Sequence, residues 1–199
     1  MKKILAILAL AVSSTAFAGG AGVTTEFESE YGKGQYNGQD SNSISVAPYY
    51  KFDNGIKADV KFEGSRDRGT VNGDNKSIDG LIEARVRKDY NVYGPLSAGL
   101  RLGIGEKFNG ENKAGQTVDF GYYTVEPILT YKATDALSFN TSYRYRNAFN
   151  TSNYAYKTNT VKVGAAYKLT KEDEIGAKYF EKYGDFRSNG FELVYSRGF

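Results

Sequence analysis

Ile56-Lys57-Ala58-Asp59-Val60-Lys61-Phe62-Glu63 alternates apolar and charged residues without a break. Successive side chains of a strand point to opposite faces, so one face of this segment is apolar and the other fully charged. A charged face of this kind cannot fill a dry core. Nor can it meet acyl chains, where one Arg or Lys costs about 2–4 kcal/mol at the bilayer midplane. It needs water, and its apolar partner face needs a core or lipid.

The same period runs along the chain from Val23 to Phe199. Ten segments of roughly 9–14 residues carry it, matching the ~9–11 residues with which a tilted strand crosses a bilayer. Val23, Thr25, Phe27 and Tyr31 share one face of the first, and Glu26, Glu28 and Glu30 the other. Ile44 and Val46 oppose Ser43 and Ser45 in the second, and the segment quoted above is the third. Ile82, Ala84 and Val86 oppose Glu83, Arg85 and Arg87; Leu100, Leu102 and Ile104 oppose Arg101, Gly103 and Gly105. Tyr123 and Val125 oppose Tyr122, Thr124 and Glu126, and Phe139, Tyr143 and Tyr145 oppose Arg144 and Arg146. Val161 and Val163 oppose Lys162 and Gly164. A shorter ninth segment sets Ile175 and Ala177 against Lys178 and Lys182. In the tenth, Phe191, Leu193 and Tyr195 oppose Glu192.

Charges on nearly every segment are consistent with an apolar face toward lipid and a charged face toward a hydrated lumen. The expected fold is all-β, an antiparallel transmembrane β-barrel of about 10 strands, with 12 as the alternative count. The connections agree. Asp53-Asn54-Gly55, Ala133-Thr134-Asp135 and Thr170 to Asp173 are short, whereas links near 32–42, 65–77, 106–118 and 147–157 are longer; Asp89 to Pro95 reads as a mid-sized turn. Tight periplasmic turns and longer outer loops are the asymmetry of outer-membrane barrels, and an even strand count then leaves both termini periplasmic. The terminal Phe199 continues the apolar face of Phe191, Leu193 and Tyr195, like the C-terminal assembly signal of such barrels, although Arg197 departs from that pattern.

Residues 1–18 read as a removable secretory signal peptide: Lys2 and Lys3, an apolar run from Ile4 to Val12, and Ala16-Phe17-Ala18 as cleavage site. The barrel domain is then 19–199. Net charge is +3, and losing Lys2 and Lys3 leaves +1, so bulk charge selects no partner. There are no cysteines, hence no disulfides, and 17 Tyr with 23 Gly suit a wall that is apolar only at alternate positions.

The chain has no histidine. Without His or Cys the usual acid–base and nucleophilic arrangements are missing, so the reading is not an enzyme. Glu26, Glu28 and Glu30 stand about 7 Å apart along one face, near a glycosidase spacing, but a solvated acidic stripe is the plainer interpretation. No metal-ligand cluster, cofactor loop or nucleic-acid motif is present. The expected lumen has an acidic face of Glu26, Glu28 and Glu30 with Glu192 beside it. A basic arc of Arg85, Arg87, Arg101, Arg144, Arg146, Lys162 and Lys178 with Lys182 forms candidate anion-binding groups. Inward Gly99, Gly103, Gly105, Gly164 and Gly176 make room and favour some aperture. On physics alone the charges either line a channel or pair across a closed lumen, since eight strands leave an interior just filled by side chains.

Val125-Glu126-Pro127-Ile128-Leu129-Thr130-Tyr131, then Thr134-Asp135-Ala136-Leu137-Ser138 and Tyr143-Arg144-Tyr145-Arg146, resembles the oligogalacturonate-specific porin family (KdgM-like). The resemblance implies a monomeric outer-membrane channel for acidic oligosaccharides, with Arg144 and Arg146 among the groups that bind sugar carboxylates. That family has twelve strands against the ten counted here. Two functions follow as expectations. One is a small porin passing anionic oligosaccharides or other small acidic solutes, bounded by outer-membrane lipids. The other is a closed barrel with a structural or surface-binding role, its long loops, such as Arg68 to Lys76, meeting a ligand, host or phage.

Overall fold

The structure, a computed structural model, describes residues 20–33, 40–67, 78–111, 117–151 and 156–199. Residues 1–18, read as a signal peptide, and Arg68 to Lys76, read as a long loop, lie outside these residues. Ten strands follow one another: β1 (Gly20–Gly32), β2 (Ser41–Lys51), β3 (Ile56–Asp67), β4 (Ile78–Tyr93), β5 (Leu96–Glu111), β6 (Thr117–Lys132), β7 (Leu137–Ala148), β8 (Thr158–Lys168), β9 (Asp173–Gly184) and β10 (Ser188–Gly198). Each pairs antiparallel with its sequence neighbours, and β1 pairs with β10 to close the barrel. The count is therefore ten rather than twelve. Closure brings the chain ends together: the Phe199 amide donates to the Ala21 carbonyl at 2.8 Å.

The turns at the end carrying the termini have local causes. Gly55 takes φ +79°, which a residue with a Cβ rarely adopts, and its amide donates to the Phe52 carbonyl at 2.9 Å. Thr134 and Thr170 hold their turns with side chains instead. Each hydroxyl accepts two backbone amides, from Ala136 and Leu137 and from Glu172 and Asp173 respectively. The β4–β5 connection is only Gly94-Pro95, tighter than the expected turn from Asp89, because strand pairing continues to Tyr93 opposite Leu96. Strand β9 is likewise longer than its alternation shows, at 12 residues. At the opposite end β9 and β10 are joined by only Asp185 to Arg187, so not every connection there is long. At this rim Lys33 donates to Glu181 at 2.6 Å, and that hydrogen bond raises the Lys33 ammonium above the ordinary lysine range.

The side chains divide as the alternation requires. Outward are the large apolar groups, with Leu102 at 44 %, Val163 at 49 % and Leu193 at 57 % exposure on the bare protein. A continuous apolar surface around all ten strands has no partner in water. Inward are the charged groups, with Glu83 and Glu192 at 2 % and Lys61 at 5 %.

Following cross-strand partners once round from Gly20, through Lys51, Lys57, Arg87, Arg101, Glu126, Arg144, Thr160, Lys182 and Ser188, returns to Gly32, a stagger of twelve residues. With ~4.8 Å between strands and ~3.3 Å per residue, that stagger sets a tilt of about 40° and a backbone-to-backbone bore of about 20 Å. Charged side chains point into this bore from strands all round it.

The barrel lumen as candidate functional site

The lumen is built from the inward positions of every strand, and its charges are organised as linked pairs. Lys61 on β3 reaches Glu26 on β1 at 2.8 Å and Glu63 on its own strand at 2.7 Å. It can cross β2 because the inward residues there, Ser45 and Ala47, are small; the Ser45 hydroxyl also donates to Glu26. Arg85 binds Asp59 at 2.5 Å, and Arg101 binds Glu126 at 3.0 Å. Glu192 receives both Lys162, across β9, and Lys178 at 2.5 Å. Lys182 binds Glu30 at 2.6 Å, and Arg87 pairs with Asp89 at 2.8 Å. Arg146 reaches furthest, from β7 over β6 and β5 to Glu83 on β4 at 3.3 Å.

That long reach depends on the glycines of β5. A Cβ on Gly103 would lie 2.4 Å from the Thr124 hydroxyl and 2.6 Å from a Glu83 oxygen. The Thr124–Glu83 hydrogen bond, at 2.6 Å, thus passes over a bare backbone. A Cβ on Gly105 would meet the Tyr122 ring at 2.7 Å, and one on Gly99 would meet the Asp89 carboxylate at 2.1 Å. Gly164 is covered in the same way by Lys178. Four of the five glycines expected to make room therefore do not widen an aperture. Their space is taken by side chains of neighbouring strands, whereas over Gly176 the neighbours stand off at 3.2 Å or more.

All seven expected cations, Arg85, Arg87, Arg101, Arg144, Arg146, Lys162 and Lys178, sit on inward positions, as do Glu26, Glu28 and Glu30. The separation into an acidic and a basic side does not persist at contact distance. Asp59, Glu83 and Glu126 stand among the cations and neutralise them. These three carboxylates are legible on the charged faces of their strands, and counting them would have shown the balance. Glu174 adds an inward carboxylate on β9.

Several inward charges have no ion pair among the described residues: Arg144 and Glu28, and also Lys57, which lies over the Tyr49 ring, and Glu174. Both oxygens of Glu126 are engaged, one by Arg101 and one by the Ser142 hydroxyl at 2.8 Å. Arg144, directly opposite it on β7, forms no ion pair with any carboxylate among the described residues. Glu28 on β1 likewise has no cation at ion-pair distance among the described residues, and its cross-strand neighbour is another carboxylate, Glu192. Tyr122 Oη, Arg101 Nε and Arg146 Nε are buried polar atoms without a hydrogen-bond partner among the described residues.

An apolar wall facing outward and a water-requiring charged network facing inward, closed with no strand edge, belongs in a bilayer that strands cross. The protein is a bacterial outer-membrane β-barrel. No family model matches the chain, and no curated protein matches it in sequence. Solved structures do. The NanC porin is similar with a TM-score of 0.55 at 11 % identity, covering 87 % of this chain and 98 % of that one. The β-domain of the Bordetella autotransporter BrkA is similar at 0.55 and 12 %, covering 90 % and 99 %. The KdgM porin is similar at 0.50 and 13 %, covering 88 % and 99 %. Identities this low show the fold, and the fold is one that porins and autotransporter translocators share. The outer-membrane barrel described here is thus porin-like in architecture, and its resemblance to the KdgM-like family stands at the level of the fold.

Proposed function

We propose that the barrel is a narrow outer-membrane channel through which small acidic solutes diffuse passively, with Arg144 as the mid-lumen group that attracts them. The observation carrying this reading is Arg144 itself. It is a guanidinium on an inward position whose neighbouring carboxylate is already committed to Arg101 and Ser142. A cation so placed favours an anion in the lumen, and its fork of donors suits a carboxylate. The similarity to porins supports a passage through the bore.

The girdle of ion pairs sets the scale of the solute. An acidic oligosaccharide, the class implied by the family resemblance, passes only if pairs such as Lys61–Glu26 and Arg146–Glu83 part. A small carboxylic acid needs less displacement, so it is the better fit. A second reading has a specific observation in its favour. Glu83, Glu192, Glu126 and Lys162 are 2–6 % exposed, which suits a closed barrel whose lumen charges serve stability and whose function lies in its loops.

Planar-bilayer recording of the pure, refolded protein separates the two. The channel reading expects discrete low-conductance steps and an anion-selective reversal potential, reduced toward zero by Arg144→Ser. A wild-type channel whose selectivity is untouched by that substitution removes Arg144 from the account. Silence from both wild type and variants that loosen the girdle favours the closed barrel.

A further inference from the structure

Near the loop end of the lumen one aromatic side chain comes from a connection rather than a strand. Tyr156 precedes β8, yet it is only 8 % exposed. Its ring packs edge-on against Phe120 and Tyr122 of β6, at centroid distances of 4.9 and 5.4 Å. Its hydroxyl accepts a hydrogen bond from Arg146 at 3.2 Å, and the same guanidinium lies 4.8 Å from the centre of the Tyr122 ring. Lys107 of β5 stands 5.5 Å from the Tyr156 ring centre.

We infer that Tyr156 narrows the loop-side mouth of the lumen and sets the size of what enters. This rests on the channel reading above. The argument is one of exposure. Tyr122 and Ala148 occupy inward positions near the mouth, where an open bore would leave them wet, but they are 0 % and 1 % exposed. Tyr156, Phe120 and the Arg146 side chain cover them. Because Arg146 also holds Glu83, the cover spans the wall from β8 to β4.

The placement of the ring is not accidental to a loose loop. Immediately after it, the Lys157 amide donates to the Asp185 carboxylate at 2.7 Å, and the Asp185 amide donates to the Lys157 carbonyl at 2.8 Å. Gly184, at φ +116°, shapes the β9–β10 turn that makes this clasp, and a Cβ there would lie 2.2 Å from the Lys157 carbonyl oxygen. The backbone beside Tyr156 is tied to the β9–β10 turn on one flank, while its ring and hydroxyl are held by β6 and β7 on the other. A side chain held on both flanks at the mouth of the proposed channel is a fixed restriction.

The test compares wild type, Tyr156→Ala and Tyr156→Phe, each shown to be folded by heat-modifiable migration in gels. Single-channel conductance is recorded in planar bilayers, and liposome swelling is measured with neutral sugars of increasing size. Tyr156→Ala is expected to raise conductance about twofold or more and to admit larger sugars, because the narrowest section controls the flux. Tyr156→Phe, which keeps the ring and loses the Arg146 hydrogen bond, is expected to fall between. A silent wild type with a conducting Tyr156→Ala variant also supports the inference. A conducting wild type with an unchanged Tyr156→Ala overturns the inference and leaves the channel reading standing. Silence from all three folded proteins overturns both.

Discussion

Tyr122 lies flat over Gly105, its direct cross-strand partner, so closely that a Cβ at position 105 would meet the ring at 2.7 Å. Two other inward glycines are covered in the same way by the aromatic residue opposite. Tyr49 covers Gly22, where a Cβ would meet the ring at 2.3 Å, and Phe180 covers Gly190, where the distance would be 2.6 Å. In each case the glycine lets an aromatic ring lie against the wall instead of standing into the bore. Gly105→Ala forces Tyr122 off its seat and also presses on the Ile82 carbonyl, 2.6 Å from the new carbon. Overpacking of this kind costs about 1–3 kcal/mol. Urea unfolding in detergent micelles, followed by tyrosine fluorescence, should show that loss, and an unchanged midpoint would mean that the ring has another place to go.

Glu192 carries two lysines, Lys162 and Lys178, in a position 2 % exposed. Glu192→Gln leaves both ammonium groups in the wall without their counter-charge. Breaking a buried pair by removing one partner costs about 3–5 kcal/mol, and some of that is recovered here by lumen water. The expected result is a clear drop in unfolding midpoint. Lys162→Met combined with Glu192→Gln should recover part of the loss, since that double change deletes one of the stranded charges along with the carboxylate. Equal midpoints for the single and double variants would contradict the pairing.

The two faces of a strand should respond oppositely to charge. Leu102 faces outward on β5 at 44 % exposure, whereas Asn140 faces inward on β7. Leu102→Lys places an ammonium among acyl chains and is expected to lower stability by about 2–4 kcal/mol in lipid. Asn140→Lys adds a cation to a wet lumen and should cost far less. Folding yield into liposomes, titrated with urea, measures both. Comparable losses at the two sites would contradict the assignment of faces.

Alternation with a period of two was enough to put the charged residues named on each of the ten segments on the lumen side and their apolar neighbours on the outer side. A one-residue slip would have exchanged lipid for lumen along a whole strand, so the pattern is strongly constrained. Strand ends were less legible. Asp89 to Tyr93 read as turn because polar residues interrupt the alternation, yet they remain paired with β5. The charge network was not legible at all, because a partner depends on register and on what stands between. Lys61 finds Glu26 only because Ser45 and Ala47 are small, and Arg146 finds Glu83 only because Gly103 and Gly105 leave β5 bare. Tyr156 carried no signal in the sequence, since its role comes from a backbone clasp with Asp185.

The absence of cysteine makes the central claim directly testable. Single cysteines placed in turn along β8, at Val161, Lys162, Val163 and Gly164, are labelled with a small environment-sensitive fluorophore, and the protein is folded into liposomes containing brominated lipid. Strong quenching at Val161 and Val163, with little at Lys162 and Gly164, is the outcome expected of an apolar wall in lipid around a charged lumen. Uniform quenching along the strand, or quenching of the lysine and glycine positions instead, would contradict it.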